Sequence, residues 1–260
     1  MVDRHPVIFL GAGPGDPELI TVKGQKALAQ AEVILYAGSL ISAAVLGWAS
    51  LEAELLDTAP LTLPEILEKI IKSQREGKRV VRVHSGDPAL FSAMAEQLEV
   101  LKSEGIPYRV IPGVTAAAAA AAALAQELTL PEVTQTVIFT RAPGRTPVPE
   151  REALHKLAQH GATMVIYLSV QLLDTVVSEL MEAYGPEAPV VVAYRVSWPE
   201  EQIIRGTLGT IGPLVRQAGI KRQALILVGP ALAPKEGPLK TRSKLYDQTF
   251  AHGFRPDPAD

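Results

Sequence analysis

The chain has 260 residues, of which 47% are hydrophobic and 20% charged, a composition typical of one large or two smaller globular domains. Its 25 lysines and arginines against 28 acids give a net charge of -3, which leaves no bulk positive field for a nucleic acid or an anionic membrane. The absence of cysteine excludes disulfides, thiolate-bound metals and cysteine nucleophiles.

The apolar stretches of the chain are short. Val7–Leu10 has four apolar residues before a glycine, too few for the core of a signal peptide. The most apolar later stretch, Val114–Ala125, falls short of the ~20 residues that spanning a bilayer requires. The sequence therefore predicts a soluble cytoplasmic protein.

Strands and helices alternate through the first 112 residues. The spacing Thr62-Leu63-Pro64-Glu65 is a capping box, and apolar residues follow it on one helical face as far as Gly77. Helices are also predicted over 21–29 and along the face formed by Leu90, Met94, Leu98 and Leu101. Strand composition marks four segments, namely Val7–Leu10, Val33–Tyr36, Arg79–His84 and Tyr108–Ile111. This alternation predicts an α/β fold with mixed, mostly parallel sheets.

Ile111-Pro112-Gly113 interrupts the alternation and precedes eight alanines, Ala116–Ala123, which predict a closely packed helix. A second α/β series follows, with strands predicted at 136–140, 163–168, 190–194, 202–205 and 224–228 and helices at 150–159, 172–184 and 211–217. The predicted organisation is an N-terminal domain over 1–112, a C-terminal domain over 113–234 and a loosely attached tail over 235–260. In that tail, Leu245, Tyr246, Phe250 and Phe254 could contact the body or a second subunit.

Two glycine-containing loops follow strands of the first domain. Gly11–Pro17 superficially fits a dinucleotide-binding loop, but Asp16 occupies the third glycine position, and Pro14 and Pro17 each lack an amide donor. The second loop is Ser85–Pro88. Carboxyl ends of parallel strands share one edge, where open α/β sheets bind ligands. We therefore expect both loops to line a ligand cleft, the first of them without phosphate. The first can equally be a plain tight turn, and Asp87-Pro88 in the second can be a helix cap.

A proline-rich loop with two arginines, Thr140–Pro149, follows the first strand of the second domain. Arginines on a loop stiffened by proline suit bidentate recognition of carboxylates. Such a loop can equally be a solvated surface. The five histidines show no metal-ligand spacing, so no protein-held metal site is predicted.

Five segments together resemble the tetrapyrrole methylase family of cobalamin biosynthesis. They are GAGPGDPELITVKG from Gly11, YAGSLI from Tyr36, HSGDPALF from His84, IPGVTA from Ile111 and TRAPGRTPVPERE from Thr140, with further similarity from Val192 and in the tail from Ser243. The resemblance implies two α/β domains with S-adenosylmethionine in a cleft between them, commonly in a homodimer. The implied activity is methyl transfer to carbon 11 of an anionic macrocycle.

The resemblance also implies site residues. Those of the first domain and of the turn that follows it that would contact the cofactor are Pro14, Ser85, Gly86, Asp87, Leu90, Thr115 and Ala116. In the second domain they are Leu168, Ala193 and Ala224. The candidates for substrate binding are Tyr36 and Ser39, in the trough that would hold the macrocycle, and Arg141 and Arg145, which would bind its carboxylates. Arg195 is a further candidate. Relatives acting on uroporphyrinogen carry an acid after the tyrosine, whereas this chain has Ala37 and Gly38, so no general base is identified.

Three alternatives remain open at this point. Another member of the same family would methylate a different precorrin or a different ring carbon. A nicotinamide-dependent oxidoreductase would need an acid at the end of the second strand, and Val33–Tyr36 ends without one. A tetrapyrrole carrier without catalytic activity is the third. The sequence does not distinguish a substrate that already holds cobalt, because the macrocycle itself would hold the metal.

Overall fold

The computed structural model describes residues 5–234, 242–246 and 250–255, and its chain forms two compact units. The first unit comprises the described residues up to Leu124 together with Arg195–Gln202, which we call the returning segment. The second comprises Ala125–Tyr194 and the described residues from Ile203 onward.

The first unit is built on a five-stranded parallel sheet. Its strands are β1 (Val7–Gly11), β2 (Val33–Tyr36), β3 (Glu54–Asp57), β4 (Val80–His84) and β5 (Tyr108–Ile111), in the order β3-β2-β4-β1-β5. All four pairings are parallel, with Gly11 opposite His84 and Tyr36 opposite Asp57. The carboxyl ends of the strands therefore lie along one edge, and the loops that leave them are neighbours.

Helices cover both faces of this sheet. They are α1 (Val22–Gln30), α2 (Ala43–Leu46), α3 (Leu63–Arg75), α4 (Met94–Ser103) and α5 (Ala116–Leu124). One buried cluster joins Leu10 and Ile34 to Leu28 of α1, and another joins Phe9 and Leu35 to Ile70 of α3. Successive strand residues thus enter opposite cores, as the continuous apolar strands of a two-sided sheet require.

The second unit contains a mixed sheet in the order β6-β7-β10-β8-β9. Its strands are β6 (Val137–Arg141), β7 (Thr163–Tyr167), β8 (Pro189–Tyr194), β9 (Gln202–Thr207) and β10 (Ala224–Val228), and its helices are α6 (Leu154–Ala158), α7 (Leu173–Tyr184) and α8 (Ile211–Gln217). β6 is parallel to β7, whereas β10 is antiparallel to both β7 and β8. The first residue of β10 therefore lies at the edge where β7 and β8 end.

The α/β class with two sheets is confirmed, and the parallel character is complete in the first sheet and partial in the second. The first unit extends past the boundary expected at residue 112, because the Gly113 amide donates to Asp87 (2.8 Å) and the chain continues into α5 within the same unit. The returning segment also belongs to it. Among the described residues, no helix has the length and apolar character needed to cross a membrane.

Several predicted elements differ in detail. The helix expected over 150–159 is a 3-10 turn, Glu150–Glu152, followed by α6, because Ala153 between them is extended (ψ 139°). The helix expected from Leu90 begins at Met94, after Phe91 and Ala93 with positive φ. Strand β3 and helix α2 were not expected. Part of the predicted tail, including residues 247–249, lies outside the described residues; within the described part, Arg255 donates to the carbonyls of Leu245 and Phe250.

Candidate functional site

Three loops meet at the carboxyl edge of the first sheet. The first is Gly11–Pro17, which we call the glycine loop. Its Gly13 exchanges two backbone hydrogen bonds with Gly86 of the second loop, at 2.8 and 3.2 Å. A Cβ at Gly113 of the third loop would overlap the Gly86 carbonyl oxygen and lie 2.8 Å from the Gly11 backbone. The three backbones therefore pack at a distance that only glycine permits.

The Asp87 carboxylate holds two of these loops together. Its Oδ2 accepts from the Gly113 amide at 2.8 Å, and its Oδ1 accepts from the Ala89 amide at 2.7 Å. A Cβ at Gly86 would lie 3.8 Å from Thr115 Cα and 3.9 Å from Ala116 N. The structure thus brings together most of the implied cofactor residues of this unit, namely Pro14, Gly86, Asp87, Thr115 and Ala116. Leu90 follows one turn later, with its amide donating to the Asp87 carbonyl at 3.2 Å, and Ser85 is exposed.

The charge of this edge suits a cationic or hydroxyl-bearing ligand. The glycine loop and the segments 84–91 and 112–116 contain no lysine or arginine, but they contain Asp16 and Asp87. His84, stacked on Phe9 at 5.8 Å, is buried, and burial lowers its pKa to about 3, so the imidazole is neutral at pH 7. Burial also lowers the pKa of Arg82 to about 10, and its guanidinium donates to Thr58 Oγ1 at 3.0 Å. The loops themselves therefore offer a phosphate no cation.

The Tyr36–Ser39 segment at the end of β2 is fixed by a carboxylate that sequence reasoning missed. Asp57 Oδ1 accepts from the amides of Gly38 (2.9 Å) and Ala59 (2.8 Å), and these two bonds lower the pKa of Asp57. A Cβ at Gly38 would lie 2.5 Å from Asp57 Oδ2. Tyr36 is half-buried and Ser39 is exposed. No pattern in the sequence indicated this contact, because Asp57 is the last residue of β3, a strand that the sequence pattern did not predict.

The returning segment places one expected substrate residue elsewhere. Arg195 belongs to the first unit, where its guanidinium lies 3.5 Å from Glu200 Oε2 and 5.0 Å from the centre of the Trp198 ring. Arg141 and Arg145 belong to the second unit. Arg195 is therefore grouped with the glycine loop rather than with the other two arginines.

In the second unit, Leu168, Ala193 and Ala224 lie near one edge of the sheet. Ala193 of β8 is opposite Leu225, the residue after Ala224, and Ile166 of β7 is opposite Ile226. Both alanines are buried, whereas Leu168, directly after β7, is 72% exposed with φ of 55°. A leucine in the left-handed region is strained, and such strain is concentrated at functional sites.

The loop Thr140–Pro149, which we call the arginine loop, leaves the same edge, because Arg141 of β6 is opposite Tyr167. Arg141 donates to three carbonyls of its own loop: Nη2 to Pro147 (2.7 Å), and Nη1 to Thr146 (3.1 Å) and Ala142 (3.3 Å). Arg145 is exposed. The sequence predicted that both arginines hold a substrate, but the structure gives Arg141 an organising role in the loop and leaves Arg145 accessible to an anion.

A family profile and two relatives of nearly the same length show which proteins the chain is similar to. The profile of the tetrapyrrole (corrin/porphyrin) methylases matches residues 6–212. The chain is 50% identical over 256 residues to the cobalt-precorrin-4 C(11)-methyltransferase of Methanocaldococcus jannaschii, covering 98% of each chain. It is also 50% identical over 250 residues to the precorrin-4 C(11)-methyltransferase of Pseudomonas aeruginosa, covering 96% of this chain and 98% of the relative.

Two solved structures extend the comparison. A cobalt-precorrin-4 methyltransferase, described as a cobalamin biosynthetic enzyme, superposes with a TM-score of 0.87 and 48% identity, covering 90% of this chain and 98% of the other. The uroporphyrin-III C-methyltransferase of Thermus thermophilus, in complex with S-adenosylhomocysteine, gives a TM-score of 0.75 at 27% identity, covering 87% and 98%.

Proposed function

The chain belongs to the tetrapyrrole methylase family, and we propose that it transfers a methyl group from S-adenosylmethionine to carbon 11 of precorrin-4 or cobalt-precorrin-4. The observation that carries this proposal is the 50% identity over 98% of both chains to a cobalt-precorrin-4 C(11)-methyltransferase. The TM-score of 0.87 to a solved cobalt-precorrin-4 methyltransferase at 48% identity agrees with it. The chain is thus a methyltransferase of cobalamin biosynthesis.

The carboxyl edge of the first sheet fits S-adenosylmethionine by its chemistry. That cofactor carries a sulfonium, an ammonium and ribose hydroxyls, and no phosphate. The loops at this edge contain two carboxylates and no cation of their own, and His84 is held neutral by burial. The guanidinium of Arg195 in the returning segment lies 3.5 Å from the Glu200 carboxylate. Gly11, Gly86 and Gly113 let the loop backbones pack directly on one another, and Asp87 fixes two of these loops through the Gly113 amide. A dinucleotide would meet Asp16 where a pyrophosphate requires amide donors.

The protein contributes position and electrostatics to the reaction. S-adenosylmethionine supplies an activated methyl group when bound, so the chain needs no nucleophile of its own, which agrees with its lack of cysteine. Gly86, Asp87 and the Gly113–Ala116 turn would hold the cofactor, and Arg145 would bind substrate carboxylates from the loop that Arg141 orders. Fixing the two reactants in a productive orientation supplies up to roughly 7–11 kcal/mol of the barrier in favourable cases.

The test is an assay of the purified chain with precorrin-4 and cobalt-precorrin-4 side by side. Using S-adenosylmethionine labelled with carbon-13 in its methyl group, mass spectrometry should show the gain of one methyl group. Nuclear magnetic resonance of the product should place the label on carbon 11. A label on another ring carbon, or turnover only of a different precorrin, would contradict the proposed specificity. The ratio of the two rates identifies the metal state of the substrate.

A ligand titration separates this proposal from the other classes. We expect S-adenosylhomocysteine, and not NAD, to raise the melting temperature, because a ligand that binds only the folded state stabilises it. Stabilisation by NAD alone would favour an oxidoreductase. A response to neither ligand would favour a tetrapyrrole carrier.

We further propose that the enzyme acts in the cytoplasm as a homodimer. The strand β5 supports a dimer, since it lies at the edge of its sheet with Tyr108 and Val110 exposed, and edge strands can pair with a second chain. One chain has a mass of 27.8 kDa, and light scattering at micromolar concentration should give twice that value. A monomer at that concentration would contradict this part of the proposal.

A further inference from the structure

Both tryptophans of the chain bind the glycine loop. Trp198 of the returning segment donates through its indole Nε1 to the Pro14 carbonyl at 2.7 Å. Trp48, which follows α2, donates through its Nε1 to the Pro17 carbonyl at 3.1 Å. The sequence contains no third tryptophan. Two indole donors thus hold the two prolines of one seven-residue loop.

The Trp198 contact is matched closely to the loop sequence. A Cβ on Gly15 would overlap Cδ1 and Nε1 of the indole, so the ring packs directly against the Gly15 backbone. Beside it, Ser197 Oγ accepts from the Asp16 amide at 3.0 Å. The returning segment therefore binds a carbonyl and an amide of the glycine loop and packs against the residue between them.

The returning segment is itself held in a costly conformation. Arg195 and Ser197 have φ values of 45° and 66°, a region that costs non-glycine residues on the order of 1 kcal/mol or more. The Ser197 amide donates to Glu201 Oε2 at 2.7 Å, and the Trp198 amide donates to the Arg195 carbonyl at 2.9 Å. The Arg195 guanidinium also stacks at 5.0 Å over the Trp198 ring. These contacts keep the indole directed at Pro14.

We propose that Trp198 is a positioning residue for the cofactor: it holds the Gly13–Asp16 backbone in the conformation that receives S-adenosylmethionine. This inference rests on the proposed function, because it takes the glycine loop as part of the cofactor site. Trp198 acts on the cofactor through Pro14 and Gly15. Trp48 holds the far end of the loop at Pro17, with a longer bond and a ring that is 37% exposed.

The experiment is calorimetric titration of the full chain with S-adenosylhomocysteine. Trp198→Phe retains a ring against Gly15 but removes the donor to Pro14, and we expect the Kd to rise about tenfold, the effect of one well-placed hydrogen bond. Trp48→Phe is the matched control, and its Kd should rise less than about threefold. In steady state, the KM for S-adenosylmethionine should rise in Trp198→Phe, while the KM for the tetrapyrrole at saturating cofactor stays unchanged.

Amide hydrogen exchange without any ligand tests the same contact independently of activity. Ser197→Ala removes the acceptor of the Asp16 amide, and both Ser197→Ala and Trp198→Phe should speed exchange of the Gly15 and Asp16 amides about tenfold. If Trp198→Phe does not fold, Ser197→Ala carries both measurements. An unchanged Kd and unchanged exchange would overturn the proposal, as would equal losses in Trp48→Phe and Trp198→Phe. Failure of the wild-type chain to bind S-adenosylhomocysteine would instead contradict the proposed function, while the exchange result would still show whether the returning segment orders the glycine loop.

Discussion

The glycine loop of the first unit and the arginine loop of the second are held by contacts of different range. Pro14 of the glycine loop is bound by Trp198, 184 positions away, and Gly13 is bound by Gly86. The arginine loop is held by Arg141, whose three acceptors lie within six residues of it. The first loop is fixed mainly by distant parts of the fold. The second is ordered mainly by its own arginine, with one distant contact in which the Ala142 amide donates to Ser169 Oγ at 2.8 Å. A more rigid glycine loop at the proposed cofactor site and a more independent arginine loop at the proposed substrate site are the expected consequence.

The largest loss of stability is expected from adding a methyl group where the loops of the first unit touch. Gly113→Ala would place a Cβ onto the Gly86 carbonyl, so we expect a loss of about 3 kcal/mol or more in the free energy of unfolding. Gly144→Ala in the arginine loop is the matched control, since its Cβ would lie 3.6 Å from Leu172, and it should cost less than about 1 kcal/mol. Urea denaturation measures both. Similar losses would contradict the contrast between the loops.

Acid should lower the free energy of unfolding through His84, the last residue of β4. Burial holds the pKa of His84 at about 3 in the folded chain, below its ordinary 6.5, so between these values the unfolded chain binds the extra proton. Stability is therefore lost as pH falls below about 6.5, amounting to about 2 kcal/mol by pH 5. Denaturation at pH 7 and pH 5 should show this loss in the wild type and its absence in His84→Gln. His160→Gln, at an exposed position, should behave like the wild type.

The arginine loop is tested by removing its two cations separately. Arg145→Ala should raise the apparent Kd of the tetrapyrrole about tenfold through the loss of one charge-assisted contact. Arg141→Ala should also weaken substrate binding, because the loop loses three carbonyl contacts. In both variants S-adenosylhomocysteine should bind as in the wild type. Unchanged substrate affinity in either variant would contradict the role assigned to that arginine.

The smallest effect is expected at the end of the arginine loop. Lys156 and Glu150 form an ion pair at 2.7 Å, and both side chains are largely exposed. Exposed pairs contribute little because water and salt screen them. Lys156→Ala should therefore leave the melting temperature unchanged within error at both low and high salt. A large, salt-sensitive decrease would show that the loop depends on this pair.

Local patterns in the sequence predicted local structure well. The capping box of Thr62 and Glu65 is present, with the Thr62 amide donating to Glu65 at 2.7 Å, because all its partners lie within four residues. That the glycine loop does not bind phosphate, inferred from Pro14, Asp16 and Pro17, stays a prediction. The resemblance of the combined motifs to a methylase family was confirmed by the family profile.

Contacts distant in sequence could not be predicted in this way. No pattern connects Trp198 to Pro14 or Asp57 to Gly38, because these pairs depend on how the strands are ordered. Strand β3 was not predicted because its sequence, Glu54-Leu55-Leu56-Asp57, is short and charged at both ends. In the structure the strand is mostly exposed. The roles of all the expected site residues stay predictions. They are Pro14, Ser85, Gly86, Asp87, Leu90, Thr115, Ala116, Leu168, Ala193 and Ala224 for the cofactor, and Tyr36, Ser39, Arg141, Arg145 and Arg195 for the substrate.

The returning segment also sets an order of events during synthesis of the chain. The glycine loop leaves the ribosome early, but its partner Trp198 is added 184 residues later. At roughly 5–20 residues per second, this delay is roughly 10–40 s. During that time the first sheet can assemble from its five strands, but the glycine loop still lacks Trp198, one of its two indole partners. Completion of the cofactor surface is thus a late step, and nascent chains that stop before the returning segment would carry the sheet without the finished loop.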